Sequence, residues 1–258
     1  MKTVVYKIEC LTNLHVGSGD VNYNIIDNEV EKDPVTGYPM IHASGVKGAL
    51  RDAMKNIEGV NVDKIFGAAG TGDCGKPGTH KFLDAHIISR PMRVFGSKTI
   101  SSISVFTIAS INQYLKMLGA FGLNDYGFDS VETPDFANTS FLTNVAEDIL
   151  IEGEKISKIP DEILSKLNKL KDVLGESFAL ADNFDDYSLP VVARNHLENG
   201  ISKNLWYEEV VPHGTIMYFT VICENEAETI AIPEITQFGG NASIGCGFCK
   251  VTVLKEEK

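Results

Sequence analysis

The sequence lacks any apolar run approaching the ~20 residues that a bilayer-spanning helix needs. No membrane segment is therefore expected. Basic residues are scarce, with 23 Lys plus Arg against 35 Asp plus Glu and a formal net charge of -12. A surplus of this sign opposes indiscriminate attraction to nucleic acid or to an anionic membrane. Cysteines number 5, an odd count unsuited to a disulfide scaffold, and Lys7 and Glu9 follow the start too early for a secretion signal. A reducing cytoplasm is the expected compartment. The glycine loop over 239–247 lacks the Lys-Ser or Lys-Thr ending of a nucleotide P-loop and does not begin a helix, so no nucleotide cofactor is expected. Cys246-Gly247-Phe248-Cys249 has the spacing of half a zinc site, but Cys74 and His80 supply no matching second pair. At a strand start its two thiols point to opposite faces, so no zinc is expected.

What is present describes a folded globule. Hydrophobic residues make up 43% of the chain and charged residues 22%, enough to build a core. A chain of 258 residues forms one large domain or two small ones and removes roughly 70–75% of its unfolded surface from water. The charge is uneven. Residues 147–186 hold eleven acids and five bases. Residues 81–98 carry Lys81, Arg90, Arg93 and Lys98 against the single acid Asp84. Any surface for RNA must therefore be local.

Apolar alternation predicts a first strand with Val4, Tyr6 and Ile8 on one side and Val5, Lys7 and Glu9 on the other. His15-Val16-Gly17-Ser18-Gly19-Asp20 follows as a glycine loop. Ser44 is expected to cap a helix reaching about Ile57, with Val46, Leu50 and Met54 inside and Lys47, Arg51 and Lys55 outside. Glycines 67, 70, 72, 75 and 78 predict a mobile loop over 67–80. Extended runs over Phe82–Phe95 and Ser104–Ile108 lead into a helix carrying Ile111, Tyr114, Leu115 and Leu118. Another helix is expected from Pro160 to Leu174, outside the core. Asn199-Gly200 predicts a tight hairpin between Val191–Arg194 and Leu205–Tyr207. A strand over Thr215–Cys223, a helical turn over Glu234–Phe238, a second glycine loop over 239–247 and a last strand from Phe248 complete the reading. The order suits an α+β, ferredoxin-like (RRM-like) sheet with helices on one face and a free face for RNA.

Two segments have the chemistry to meet an anion. At Ser44-Gly45-Val46-Lys47-Gly48-Ala49-Leu50-Arg51, helix amides, two glycines and two cations combine. An ordinary capped helix with a solvated basic side accounts for the same spacing. In the terminal loop, Gly239, Gly240, Gly245 and Gly247 can present amides, and a tight turn into the last strand accounts equally for them.

Taken together, Leu14-His15-Val16-Gly17-Ser18-Gly19, Asp27, Thr36-Gly37-Tyr38-Pro39 and the Ser44–Arg51 run resemble the RAMP superfamily of CRISPR proteins. Ile65-Phe66-Gly67, Phe82-Leu83-Asp84-Ala85, Leu205-Trp206-Tyr207-Glu208-Glu209 and the terminal glycine loop add to the resemblance. Within the superfamily, the Trp-Tyr-Glu-Glu run and the strand starting at Phe82 resemble the backbone subunits of type III-B (Cmr) effector complexes. The stretch Asp27–Pro34 is similar instead to the type III-A (Csm) backbone subunits.

The resemblance implies a single RAMP domain over 1–258 with insertions at about 60–81 and 129–188 and a projecting thumb hairpin at about 189–205. It implies a helical filament of further copies along a CRISPR guide RNA, companion Cmr subunits, and target RNA cut beside nucleotides that the thumb displaces. Asp27 falls where the family places its catalytic acid, with a divalent cation, Mg2+ or Mn2+, as the expected cofactor held there. His15, Tyr207 and Glu208 are secondary catalytic candidates. Ser44, Gly45, Lys47, Arg51, Arg90, Arg93, Arg194, His196, Gly240 and Gly245 are candidate RNA contacts, which fix register without reading sequence. The family usually carries Pro, Gln and Arg soon after the acid. This chain has Asn28-Glu29-Val30-Glu31-Lys32, a more negative loop that bears on cutting rate and metal demand. A scaffold that does not cut, and a processor of CRISPR precursor RNA using His15 as base, stand as alternatives.

Overall fold

The computed structural model describes residues 1–19, 25–68, 75–136, 139–184, 188–224 and 230–257. In chain order the first half forms β1 (Lys2–Cys10), β2 (Met40–Ile41), α1 (Ala43–Met54), α2 (Val62–Phe66), β3 (His80–Phe82), β4 (Ala85–Phe95), β5 (Ser102–Thr107) and α3 (Ile108–Ala120). The second half adds β6 (Phe141–Thr143), β7 (Leu150–Ile151), β8 (Glu154–Lys158), α4 (Asp161–Leu167), α5 (Lys171–Leu174), β9 (Phe178–Ala181), β10 (Val191–Glu198), β11 (Ile201–Glu209), β12 (Ile216–Cys223), β13 (Ile235–Gln237) and β14 (Phe248–Glu256). The main sheet runs β13-β14-β1-β12-β4-β5-β9-β6-β8-β7, with β2 beside β4 and β3 beside β12. β7 also pairs with β4 through Val94–Ile151 and Phe95–Leu150, so one end of the sheet curls back on itself.

Strand alternation sorts the core into two layers. Val4, Tyr6 and Ile8 of β1 join Met217, Phe219 and Val221 of β12 and Val46, Leu50 and Met54 of α1. Val5, Tyr218 and Ile88 lie on the opposite face with Ile111, Tyr114, Leu115 and Leu118 of α3. The two helices thus cover opposite faces of the central strands, and the expected free face for RNA is not there. Thr107 explains the sharp start of α3: its side chain accepts the Ser110 amide while Ser110 Oγ accepts the Thr107 amide. The helix expected over Pro160–Leu174 is broken into α4, a 3-10 turn over Asn168–Leu170 and α5. Its apolar stripe does bury Leu167, Leu170 and Leu174, which pack in the α3 layer rather than outside the core. Glu234–Phe238 forms the edge strand β13 rather than a helical turn.

Of the glycine loop over 67–80, residues 69–74 lie outside the described residues. Its two ends are pinned together. A Cβ on Gly78 would stand 2.1 Å from the Ile65 carbonyl oxygen, and Ala68 and Lys76 exchange backbone hydrogen bonds.

β10 and β11 form a two-stranded ribbon separate from the main sheet. Asn199 at φ 51 and Gly200 at φ 79 make the turn, both left-handed as a two-residue primed turn requires. The ribbon runs from Val191 to Glu209, and Leu197, Ile201 and Leu205 on it are exposed.

Candidate functional site

The root of the ribbon is where distant segments converge. Tyr207 donates its amide to Asp27 Oδ2 at 2.7 Å, and its carbonyl accepts the Asp27 and Asn28 amides at 3.1 and 3.2 Å. Glu209 returns an amide to the Asn28 carbonyl at 2.9 Å. Asp27 and Asn28 therefore add a short parallel edge to β11. Asp27 is exposed there, held by backbone rather than packed away.

His15 reaches the same place from the end of β1. Its Nδ1 lies 2.7 Å from the Glu209 carbonyl oxygen. A carbonyl only accepts, so Nδ1 carries the proton and Nε2 is left as the second functional nitrogen. Nε2 faces Gly17, where an added Cβ would stand 3.3 Å away. His15 is buried, 8% exposed, which suits orientation of the ribbon root better than direct attack on RNA.

The Trp-Tyr-Glu-Glu run divides by strand alternation. Tyr207 and Glu209 serve the early loop, where Glu209 also accepts the Val30 amide and pairs with Lys32 at 3.3 Å. Trp206 and Glu208 turn the other way. Glu208 accepts from Trp206 Nε1, Arg194 Nε and Asn241 Nδ2. Burial opposes ionisation of Glu208, but the hydrogen bonds from Trp206 and Arg194 outweigh it and hold the carboxyl below its ordinary value. A folded-state pKa below the unfolded one stabilises the fold above the ordinary carboxylate range. That contribution disappears as pH falls through the folded value.

The terminal glycine loop does not offer its amides as expected. Gly240 donates to the His15 carbonyl at 2.8 Å and Gly245 to Ala242 at 3.0 Å. The route from these two amides to a phosphate is therefore closed. Close approach of backbone is the reason for glycine here: a Cβ on Gly239 would lie 2.2 Å from the His15 carbonyl oxygen.

The start of α1 is also partly occupied. The helix begins at Ala43 after His42, and Ser44 lies exposed within its first turn rather than capping it. Asp84 accepts the Ala43 amide at 2.6 Å, and His42 Nε2 sits 3.1 Å from Glu31. The protein's own carboxylate thus takes one of the amides expected for a phosphate at the helix terminus. Gly45 and Gly48 remain exposed, and Gly45 packs closely on Ile41. Lys47 is half-buried on the flank. Arg51 is not a free cation. It donates to the Gly67 carbonyl and pairs with Asp63, both at 2.8 Å, tying α1 to α2. Replacing Asp84 by alanine is expected to cost about 1 kcal/mol and to lower the melting temperature by roughly 2–4 °C. Faster amide exchange in the first turn of α1 is the measurement to make, and unchanged exchange there would contradict the capping role.

Arg90 and Arg93 line a cleft of about 590 Å³ with Glu152, Ser188, Pro190 and His213, beside the point where the ribbon leaves the body. Arg90 donates to the Ser188 carbonyl, and burial lowers its pKa from the ordinary value. The Arg93 guanidinium is committed to Glu152, with Nη2 at 2.7 Å and Nε at 3.0 Å from Oε2. His196 is exposed on the ribbon opposite Asn204. Arg194 turns inward to Glu208 and Cys246 Sγ. The ribbon root therefore unites Asp27, His15, Tyr207, Glu208 and Arg194, with Arg90 nearby. The start of α1 is held to the early loop through the His42–Glu31 contact. Sequence reasoning missed Asn241, Asp84 and Glu209 with Lys32. Only the Trp-Tyr-Glu-Glu alternation carried a signal for any of them.

A strand-rich α+β body with helices on opposite faces, a free two-stranded ribbon and an acid at its root defines the class. The chain matches the RAMP superfamily over residues 7–250 and belongs to it. It is similar to the CRISPR system Cmr endoribonuclease Cmr4 of Pyrococcus furiosus, 26% identical over 292 positions that cover 99% of this chain and 97% of that one. The fold resembles a type III-B Cmr-beta chain from a complex bound to cognate target RNA, with a TM-score of 0.76 at 19% identity over 98% of this chain and 97% of that one. It also resembles oligomeric Cmr4 from Pyrococcus furiosus, with a TM-score of 0.69 at 21% identity over 100% and 99% of the two chains.

Proposed function

We propose that this chain is the backbone subunit of a type III-B CRISPR effector complex, repeated along a guide RNA, and that each copy cuts the paired target RNA beside Asp27. The near full-length likeness to a CRISPR system Cmr endoribonuclease supports this reading. The observation that carries the catalytic reading is the exposed Asp27 carboxylate anchored at the root of the ribbon. Guide RNA, target RNA, further copies and other Cmr subunits are the partners in this reading. The location is cytoplasmic. Among the described residues no helix is long and apolar enough to cross a membrane.

The chemistry follows from RNA itself. A ribose 2′-hydroxyl attacks the adjacent phosphorus in line. The bond to the 5′-oxygen breaks, leaving a 2′,3′-cyclic phosphate, and the departing 5′-oxygen takes a proton from water to become the 5′-hydroxyl. A nucleotide pushed aside by the thumb brings hydroxyl, phosphorus and leaving oxygen into line. In this reading Asp27 takes the hydroxyl proton. A divalent cation, Mg2+ or Mn2+, also fits this residue, since such ions are commonly held by one carboxylate together with substrate phosphate and water. It would neutralise charge on the phosphoryl oxygens. Among the described residues no trio of acids, histidines or cysteines forms a protein cage for it, so Asp27 is the protein ligand in this reading.

Reconstitution with guide RNA and companion subunits tests the function. Labelled complementary RNA should give a ladder of evenly spaced products ending in cyclic phosphate. Cutting of a repeat hairpin at one position by the lone chain would overturn the backbone reading in favour of precursor processing.

A further inference from the structure

Three segments far apart in the chain meet at one buried carboxylate. Glu208 is 6% exposed. Its Oε1 accepts the Trp206 indole N–H at 2.8 Å, and its Oε2 accepts Arg194 Nε–H at 3.2 Å and Asn241 Nδ2–H at 2.9 Å. Arg194 and Trp206 are a cross-strand pair joining β10 to β11. Asn241 stands in the terminal glycine loop in a left-handed conformation, φ 61.

We propose that Glu208 is the positioning residue of the cleavage site, a latch that fixes both strands of the thumb to the terminal loop and thereby sets Asp27 against the target strand. This rests on the reading of Asp27 as the catalytic acid. A two-stranded ribbon alone is marginal in water, and the outer part of this one exposes Leu197, Ile201 and Leu205. Its direction must come from its root. Tyr207, between Trp206 and Glu208, carries the amide that anchors the Asp27 carboxylate. A tilt of β11 therefore moves the acid with it. An ionised acceptor shared by three donors makes charge-assisted hydrogen bonds, about twice as strong as neutral ones. With its oxygens so occupied and buried, Glu208 acts through Asp27 and the thumb rather than on RNA.

The test compares Glu208→Gln and Asn241→Ala in the guide-loaded complex, with Asp27→Asn as reference. Single-turnover cutting is followed against target concentration. Trp206 is the single tryptophan of the chain, so in tryptophan-free companions, or in the chain alone, its emission and anisotropy report the latch directly. Glu208→Gln is expected to lower the maximal rate roughly 10- to 100-fold, the scale of an ångström-sized misplacement. The half-saturating target concentration should change little. Asn241→Ala should act in the same direction but less, and the double variant should add little to Glu208→Gln alone. Both variants should alter Trp206 emission and lower its anisotropy, whereas Asp27→Asn should leave both unchanged.

Wild-type emission and rate in Asn241→Ala, beside an inactive Glu208→Gln, would overturn the latch and make Glu208 part of the chemistry. Asn241→Ala lies on a half-exposed loop and keeps the test open should Glu208→Gln fold poorly. The emission arm does not depend on cutting. An unmoved Trp206 overturns the latch whatever happens to RNA, while an intact target with the wild-type complex overturns the cleavage reading.

Discussion

Asparagine in place of Asp27 is expected to lower target-RNA cutting about 10²- to 10⁴-fold, the range for loss of a positioned acid or base, while guide binding stays at wild-type strength. Asparagine is the informative replacement. Its side-chain oxygen still accepts the Tyr207 amide that Asp27 Oδ2 holds at 2.7 Å. The backbone pairing of Asp27 and Asn28 with Tyr207 does not involve the side chain at all. The loop therefore keeps its place and only the negative charge is lost. Filter binding with labelled guide and a cleavage time course on the same preparations give the two readouts. Near wild-type cutting by the variant would move the chemistry away from Asp27.

Alanine at Gly247 is expected to be the most damaging single change to the fold, destabilising by about 3 kcal/mol, the upper part of the range for a residue forced into a strained backbone region. Gly247 has φ +80, and an added Cβ would stand 1.9 Å from the Phe238 carbonyl oxygen. That carbonyl belongs to backbone and cannot swing aside. The Gly247 carbonyl also accepts the Phe238 amide at 2.9 Å, so the two strands leading from the loop would be pushed apart. For a chain of this size the melting temperature should fall by roughly 6–12 °C. Gly119 is the control. It lies in α3 with open space around its missing Cβ, and alanine there should be neutral or mildly stabilising. Equal melting curves for Gly247→Ala and Gly119→Ala would contradict the close approach seen in the loop.

The parts legible in sequence were those dictated by local chemistry. Strand alternation in Val4–Ile8, the apolar stripe Ile111–Leu118 and the Asn199-Gly200 turn each depend on neighbours within a few residues. The structure has β1, α3 and the ribbon there. Strands β6 and β7 are three and two residues long, too short for alternation to mark, so the way residues 129–188 extend the sheet left no pattern to read. The helix start was misjudged for a different reason. Ser44 is the usual capping residue type, but Asp84, in the loop between β3 and β4 and 41 positions after Ala43, takes the Ala43 amide. Arg51 looked like a solvated cation because nothing near it in sequence announces Asp63 and Gly67 as partners. The free sheet face was inferred from element order, which does not say on which side each helix packs.

At the ribbon root the family resemblance singled out Asp27, and the structure adds how it is held. The Trp-Tyr-Glu-Glu run is a strand whose alternate residues serve two different loops. Its middle amide fixes the acid. Asn241 carried no signal at all, since its role exists only once the terminal loop lies against β11.

The most direct measurement dopes the reconstituted complex with increasing fractions of Asp27→Asn chain and reads the cleavage ladder on a fully complementary target. If every copy cuts at its own root, product positions stay fixed and each band weakens in proportion to the doped fraction, independently of the others. Bands that persist at full doping, or a ladder whose spacing changes with it, would contradict a cutting site carried by each copy beside Asp27.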